Sequence, residues 1–364
     1  MEQIFQEFLR DEVRDLPIYV PGKPIEDVKR ELGLTEVYKL ASNENPWGPS
    51  PKALEAMKEA LNDIARYPEA SGYNLRSALS KSFNVPMDYF LFGSGSDEIV
   101  GMIAGAFFKP GDEILMGRPS FPRYETVTRF IGAVPVELPL VDGYYPLHEF
   151  LDKITPRTKA IFICNPNNPS GTVRTAEDIK DFVSKVPKNI LLVFDEAYIE
   201  FTDERFSGTI YLEEDRPVII LRTFSKAYGL AGIRIGFAIA RPELIAGLNK
   251  VRGPFNVSSV AFAGALAAFE DQNYLEEVVS KNKEERTKLT AGLEGLGGRV
   301  LPSQTNFIFV TFQGIGSELS NRLLSRGLIV RPGAAFGYPD AMRITVGTAE
   351  ENQILLQVME DLLK

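Results

Sequence analysis

The sequence predicts an α/β protein in which a mostly parallel sheet is covered by helices and a smaller α+β domain follows. Three observations lead to this prediction. The chain has 364 residues, the length of about two domains. Short apolar runs alternate with helical patterns from about residue 41 to residue 240. After residue 251 this alternation gives way to long helical patterns.

Six apolar runs are predicted to be strands of the main sheet. Most of them are apolar at every position rather than at alternate positions, which is typical of parallel strands buried on both faces. They lie at residues 113–116, 134–138, 160–164, 190–194, 218–221 and 235–239. We therefore expect a large domain over residues 39–250.

The two ends of the chain show other patterns. Residues 1–16 carry a helical apolar stripe, and residues 18–24 are an extended, proline-punctuated arm of the kind that lies across another surface. Near the other end, one helical stripe runs over residues 274–293 and another over residues 354–362. We expect residues 1–38 to form the arm and part of a small domain, and residues 251–364 to form the rest of that domain.

Composition and charge exclude several classes of protein. Forty Lys and Arg stand against forty-nine Asp and Glu, a net charge of −9, so nucleic acid is not an expected partner. The longest apolar runs, residues 99–108 and 260–269, are about half of the roughly 20 residues that span a bilayer, so a membrane is not expected either. The single cysteine, Cys164, cannot form an intramolecular disulfide, which favours a reducing, cytoplasmic setting.

Histidine chemistry has little place in this sequence. His148 is the only histidine, and it lies in a polar stretch that resembles the start of a surface helix. With one histidine and one cysteine, no metal site is expected. Acid–base catalysis must therefore fall to Lys, Asp, Glu or Tyr.

Polar motifs follow three of the predicted strands, and ligands bind at the carboxyl ends of parallel strands. Asn165-Pro166-Asn167-Asn168-Pro169-Ser170-Gly171 follows the third run, Asp195-Glu196-Ala197-Tyr198 the fourth, and Ser225-Lys226 the fifth, with Arg234 eight residues beyond the lysine. Each motif alone is more often a turn or a chance strand end. Together they predict one ligand site at this edge of the sheet.

The order and spacing of these motifs resemble those of pyridoxal-phosphate enzymes with the aspartate-aminotransferase fold, over essentially the whole chain. Within that group the sequence is similar to the histidinol-phosphate aminotransferases, in the motifs at residues 40–46, 67–69, 222–232 and 342–348 and in the arm at residues 19–24. The resemblance implies fold type I of the pyridoxal-phosphate transferases, with a seven-stranded, mostly parallel sheet in the large domain. It also implies a homodimer with shared active sites.

The resemblance assigns roles that fit the chemistry of pyridoxal 5′-phosphate. Lys226 is expected to bind the cofactor covalently and to move the substrate proton, and Asp195 is expected to keep the ring nitrogen protonated. Asn168 and Tyr198 are expected to contact the ring oxygen, and Phe121 to stack on the ring. The cofactor phosphate is expected to contact Ser96, Asp97, Ser225, Arg234 and, from the neighbouring subunit, Tyr67.

The resemblance also implies the reaction and its substrate residues. Arg331, Arg343 and Tyr19 are expected to bind the phosphate of a phosphorylated amino alcohol, and Asn43 is a further substrate contact. The reaction implied is transamination of L-histidinol phosphate with 2-oxoglutarate, giving imidazole-acetol phosphate and L-glutamate, in histidine biosynthesis. Two alternatives stay open at this point: an aromatic-amino-acid aminotransferase and a threonine-phosphate decarboxylase on the same scaffold.

Overall fold

The computed structural model describes residues 8–14, 16, 18 and 22–364. These residues form two sheets, one of seven strands and one of five, each with its own hydrophobic core. Most of the predicted N-terminal stripe, and Tyr19 of the predicted arm, lie outside the described residues.

The seven-stranded sheet is the larger of the two. Its spatial order is β2-β8-β7-β6-β5-β3-β4, and all neighbouring pairs are parallel except the two that involve β8. The strands are β2 (Phe90–Gly93), β3 (Glu113–Arg118), β4 (Val134–Pro139), β5 (Thr158–Cys164), β6 (Leu191–Asp195), β7 (Val218–Thr223) and β8 (Gly236–Ala240). The predicted seven-stranded, mostly parallel sheet is confirmed, and all six apolar runs are strands in it.

Burial explains the apolar character of these runs. All five residues of β6 and of β8 are buried, since both strands lie inside the sheet with helices on its faces. By contrast, β4 is an edge strand whose residues are mostly half-buried or exposed. A proline, Pro135, is tolerated there because an edge strand has one unpaired side.

Helices cover this sheet, and most of them contribute to its core, whereas the buried Val28 of the second helix packs with Ala41 and Ile329 in a separate small cluster. The helices from the N-terminus to the end of the large sheet are α1 (Asp11–Arg14), α2 (Ile25–Leu32), α3 (Pro51–Ala60), α4 (Tyr73–Phe83), α5 (Ser96–Phe107), α6 (Arg123–Phe130), α7 (Leu147–Leu151), α8 (Ala176–Lys185) and α9 (Pro242–Asn249). His148 lies in the short helix α7, is exposed, and has its Nδ1 4.0 Å from a carboxylate oxygen of Asp181.

The five-stranded sheet has the order β1-β11-β12-β10-β9 and is antiparallel except for the pair β1 and β11. Its strands are β1 (Tyr38–Leu40), β9 (Arg299–Val300), β10 (Phe307–Thr311), β11 (Leu328–Pro332) and β12 (Ala341–Thr345). The remaining helices of the chain are α10 (Ser259–Glu270), α11 (Gln272–Gly295), α12 (Gly316–Ser325) and α13 (Ala349–Leu363). Of these helices, α10 packs on helices of the large sheet. Helix α13 begins at a capping box, in which the Thr348 hydroxyl accepts from the Glu351 N–H at 3.2 Å.

Each of the two cores contains residues from distant parts of the sequence. Helix α10 packs against α3 and α4, and its buried alanines belong to the larger core. In the other direction, Leu40 at the end of β1 belongs to the smaller core. The domain boundaries at residues 38 and 250 stay predictions. Within the described residues, no helix is both long and apolar enough to cross a membrane.

Candidate active site

A cavity of about 190 Å³ lies at the carboxyl ends of the parallel strands, where the two sheets meet. Of the fourteen site residues predicted from the sequence, twelve line this cavity: Asn43, Ser96, Asp97, Phe121, Asn168, Asp195, Tyr198, Ser225, Lys226, Arg234, Arg331 and Arg343. Tyr67 does not line it, and Tyr19 is outside the described residues. The fold therefore brings together side chains that are up to 300 residues apart in sequence.

Lys226 lies three residues beyond the end of β7, in the turn that the strand end positions. Its Nζ donates to the carbonyl oxygen of Ser42 at 3.3 Å and lies 5.7 Å from the ring centre of Tyr198. Burial in the cavity wall and, after it, the positive charge of Arg343 together lower the pKa of this lysine to about 8. An amine with this pKa is partly neutral near pH 7 and can act as a nucleophile or a base.

Asp195 is the last residue of β6 and is 4% exposed. Both of its carboxylate oxygens are engaged: Oδ2 accepts from the Tyr124 hydroxyl at 2.5 Å and Oδ1 accepts from the Ala197 N–H at 3.2 Å. Burial raises the pKa of this carboxyl to about 6, against the opposing effect of those two hydrogen bonds. The group is thus ionised at neutral pH and can pair with a cationic N–H in the cavity.

Two neutral donors lie on another part of the wall. The Tyr198 hydroxyl accepts from Asn43 Nδ2 at 2.9 Å, and burial raises the pKa of this tyrosine, so the phenol keeps its proton to donate. The side-chain oxygen of Asn168 accepts from Arg343 at 2.6 Å. The NH₂ group of Asn168 is then the part that can donate to an anionic oxygen.

The start of helix α5 forms an anion cradle with Arg234 and Ser225. Ser96 and Asp97 are the first residues of this twelve-residue helix, and Arg234 Nη1 donates to the Ser225 hydroxyl at 3.4 Å. A Cβ on Gly95 would lie 2.5 Å from a guanidinium nitrogen of Arg234, so only glycine allows this approach. Helix N–H groups, a hydroxyl and a guanidinium are the donors that phosphate requires.

The position of Arg234 and the partner of Asp97 together set the charge of this cradle. Arg234 has a φ of +58°, an uncommon value outside glycine, and it is held there by further bonds to the Ala231 and Ser94 carbonyls. The Asp97 carboxylate lies 3.3 Å from Arg123, which balances its negative charge. The cradle therefore keeps a positive potential suited to an anion.

Two arginines face the cavity from the smaller sheet. Arg331 on β11 and Arg343 on β12 are opposite each other in the antiparallel register, so their side chains leave the same face of the sheet. Arg343 is 7% exposed, and its Nη2 donates to the Ala41 carbonyl at 2.6 Å. This pair is a second group of cationic donors in the same cavity.

The two aromatic residues predicted to contact the cofactor have different positions. Phe121 lines the cavity, and its ring meets that of Tyr124 edge-on at 5.5 Å. Tyr67 is 81% exposed and stacks on Phe255 at 4.6 Å. Within a single chain, Tyr67 therefore makes no part of the cavity wall.

Several residues that shape the site were missed in the sequence. Tyr124 binds Asp195, the Thr345 hydroxyl accepts from the backbone N–H of Asn43 at 2.9 Å, and Asn306 Nδ2 donates to the Asn43 carbonyl at 2.9 Å. The position of Tyr124, three residues after Phe121 at the start of a helix, is a signal that could have been used. Thr345 and Asn306 lie more than 260 residues from Asn43, and no sequence spacing indicates the contact.

Comparisons with known proteins agree with this geometry. The model of the family "Aminotransferase class I and II" matches residues 35–359. The chain is 44% identical to the histidinol-phosphate aminotransferase of Caldicellulosiruptor saccharolyticus, over 97% of this chain and 99% of that protein, and 44% identical to that of Brevibacillus brevis, over 97% and 98%. These matches confirm the resemblance seen in the motifs.

Solved structures lead to the same group. The crystal structure of histidinol-phosphate aminotransferase from Sinorhizobium meliloti in complex with pyridoxal-5′-phosphate superposes with a TM-score of 0.89 at 29% identity, covering 98% of each chain. That from Clostridium acetobutylicum gives 0.83 at 25% identity, covering 90% of this chain and 99% of the other. The chain therefore belongs to the aminotransferase class I and II family and, within it, groups with the histidinol-phosphate aminotransferases.

Proposed function

We propose that this protein uses pyridoxal 5′-phosphate to transfer the amino group of L-histidinol phosphate to 2-oxoglutarate, giving imidazole-acetol phosphate and L-glutamate, a step of histidine biosynthesis. The observation that carries the proposal is that one cavity holds two separate groups of anion-binding side chains, together with Lys226. One group surrounds the start of α5, and the other is the pair Arg331 and Arg343. A phosphorylated cofactor and a phosphorylated substrate together require two such groups.

The described residues fit the cofactor. The helix start, Ser225 and Arg234 suit its phosphate, and the buried Asp195 suits its ring nitrogen. The residues that would hold it are Ser96, Asp97, Phe121, Asn168, Asp195, Tyr198, Ser225, Lys226 and Arg234. When bound, pyridoxal phosphate supplies an electron sink for the substrate carbon that bears the amino group.

Lys226 would move the substrate proton. Its Nζ can take up the proton that leaves the substrate carbon, because the pKa of this lysine, about 8, lies close to neutral pH. Asp195 would hold the ring nitrogen in its protonated state through a charge pair in a nearly dry site. Within the described residues His148 lies outside the cavity wall, so the lysine has no imidazole competitor there.

The arginine pair would select the substrate. A phosphate dianion can accept from both guanidinium groups, whereas the carboxylate of an ordinary amino acid needs only one bidentate arginine. Arg331 would therefore favour a phosphorylated amino alcohol over an aromatic amino acid. Asn43 would contact the substrate beside them, and Tyr19 is proposed as a further phosphate contact from the arm.

A homodimer with shared active sites is part of the proposal. Tyr67 and Phe255 form an exposed stack, and Ile64, which lines the same surface pocket as Tyr67, is 63% exposed. An exposed apolar patch of this kind is typical of a protein interface. In a dimer, Tyr67 would contact the cofactor phosphate of the neighbouring subunit. A cytoplasmic location is also proposed, and it is supported by the single, buried Cys164.

The test is a substrate panel with purified, cofactor-loaded protein. Histidinol phosphate, phenylalanine and threonine phosphate are each supplied with 2-oxoglutarate, and glutamate and carbon dioxide are measured. The proposal predicts the highest kcat/KM for glutamate formation with histidinol phosphate. A preference for phenylalanine would identify an aromatic aminotransferase, and carbon dioxide release from threonine phosphate would identify a decarboxylase.

A further inference from the structure

Tyr124 is fully buried beneath the cavity floor. It lies in the first turn of α6, and its ring stacks on Phe162 of β5 with 4.3 Å between ring centres and 11° between planes. Its hydroxyl donates to Asp195 Oδ2 at 2.5 Å. Ring stacking accounts for an aromatic residue here, but it does not account for the hydroxyl.

The surroundings of Asp195 show what that hydroxyl does. The ionisable groups that face this carboxyl are Tyr124, Cys164, Glu196, Tyr198 and Lys226. In the described part of the chain, Tyr124 is the one side chain among them that hydrogen-bonds the carboxylate. Glu196 opposes ionisation of Asp195 as a neighbouring negative charge, and Lys226 favours it.

We propose that Tyr124 is a positioning residue, whose hydroxyl holds the Asp195 carboxylate ionised and in a fixed orientation toward the cavity. A phenol is suited to this task because burial and the carboxylate itself raise its pKa well above the usual value, so that it remains a donor. With one bond from Tyr124 and one from the Ala197 N–H, each carboxylate oxygen keeps a lone pair for a further partner.

The consequence for the cofactor rests on the proposed function, whereas the effect on the carboxyl group does not. Burial already raises the pKa of Asp195 to about 6. Loss of a hydrogen bond to the charged form would raise it by about one to two further units. At pH 7 a large part of Asp195 would then be protonated and unable to pair with a cationic ring nitrogen.

The experiment compares three forms of the full-length chain freed of cofactor: the wild type, Tyr124→Phe and Tyr211→Phe. Tyr211 is the matched control because it too is a buried tyrosine stacked on a strand phenylalanine, Phe194. Its hydroxyl has no hydrogen-bond partner among the described residues. Protonation of Asp195 is followed by infrared spectroscopy of the carboxylic C=O stretch between pH 4 and 9, and the band is assigned by its loss in Asp195→Asn.

The expected midpoint is near pH 6 in the wild type and in Tyr211→Phe, and about one to two units higher in Tyr124→Phe. An unchanged midpoint in Tyr124→Phe would overturn the proposal. Because the cofactor takes no part, this result is independent of which substrate the enzyme uses. If histidinol phosphate were not the preferred substrate, the expected titration of Asp195 would be the same. Likewise, an unchanged midpoint in Tyr124→Phe would not bear on which substrate is preferred.

A second measurement uses the wild-type chain and so does not depend on whether the Tyr124→Phe variant folds. With ring-labelled tyrosine in the wild-type chain, the C–O stretch of Tyr124 should shift as Asp195 titrates, with the same midpoint. The shift should be absent in Asp195→Asn. A tyrosine band that does not respond to the carboxyl titration would contradict the proposed hydrogen bond and overturn the positioning role.

Discussion

The substitution Arg331→Ala should slow the reaction of histidinol phosphate far more than that of phenylalanine. Arg331 and Arg343 leave the same face of the smaller sheet, and Arg343 already donates from Nη1 to Asn168 and from Nη2 to Ala41. A guanidinium has five N–H donors, so at most three of those on Arg343 remain for a ligand. A dianion that accepts from both guanidinium groups would lose one of its two cationic partners in Arg331→Ala.

The magnitude follows from the contact that is lost. A charge-assisted hydrogen bond contributes about 1.5–3 kcal/mol. Its removal should lower kcat/KM for histidinol phosphate by about 10- to 150-fold, at about 1.4 kcal/mol per tenfold. Phenylalanine has no phosphate group and so does not make this contact. Its kcat/KM should therefore change much less.

The assay is the steady-state formation of glutamate from each donor, with Arg322→Ala as the control. Arg322 is an exposed arginine on α12, a helix that packs on β11, and lies 3.8 Å from Glu318. Its removal deletes the same charge without touching the cavity. Equal losses for the two donors in Arg331→Ala would refute the reasoning, as would a comparable loss for histidinol phosphate in Arg322→Ala.

Three further predictions concern Lys226, Asp195 and Tyr67. Borohydride reduction of the loaded protein should attach the cofactor covalently to Lys226, as found by peptide mapping, and a label on another lysine would exclude the assignment. Cofactor uptake by the apo chain should rise with pH around a midpoint near 8, and this midpoint should move upward in Arg343→Ala. Asp195→Asn should lower turnover by several orders of magnitude, yet it should not lower the free energy of unfolding of the apo chain at pH 8. The pKa of Asp195 is raised from 3.8 to about 6 on folding, so the native state loses stability as the pH rises through that window. The neutral amide of asparagine avoids up to about 3 kcal/mol of this loss. A clear drop in the urea midpoint at pH 8 would contradict this. Mixing inactive Lys226→Ala and Tyr67→Ala proteins should restore part of the activity in heterodimers, and no recovery despite measured subunit exchange would argue against shared sites.

Most strands of the seven-stranded sheet could be predicted from local sequence, because burial on both faces requires runs of apolar residues. Strands buried on both faces are apolar along their buried length, and β8 and the part of β5 from Ala160 to Cys164 have that signature. Strand β2 was not among the six runs, since its four residues, Phe90–Gly93, run directly into a Gly-Ser turn. The count of seven strands came from the family resemblance rather than from the runs themselves.

The identity of the site residues also came from the sequence, since Lys226, Asp195 and Arg234 belong to motifs with a fixed spacing and order. Their chemical state did not. A lysine pKa near 8 and an aspartate pKa near 6 arise from burial and from charges on other elements, such as Arg343 beside Lys226. No local pattern encodes those distances.

By itself, then, the sequence determined the sheet, the motifs and the family, because these depend on residue type and near-neighbour spacing. Only the tertiary structure decided which groups meet: that Tyr124 binds Asp195, that Arg343 reaches Asn168 from the other sheet, and that Tyr67 stays outside the cavity of its own chain. These contacts join residues 71 and 175 positions apart in the first two cases. Hydrogen bonds act over about 3 Å in space, and only the packed chain brings such residues within that range.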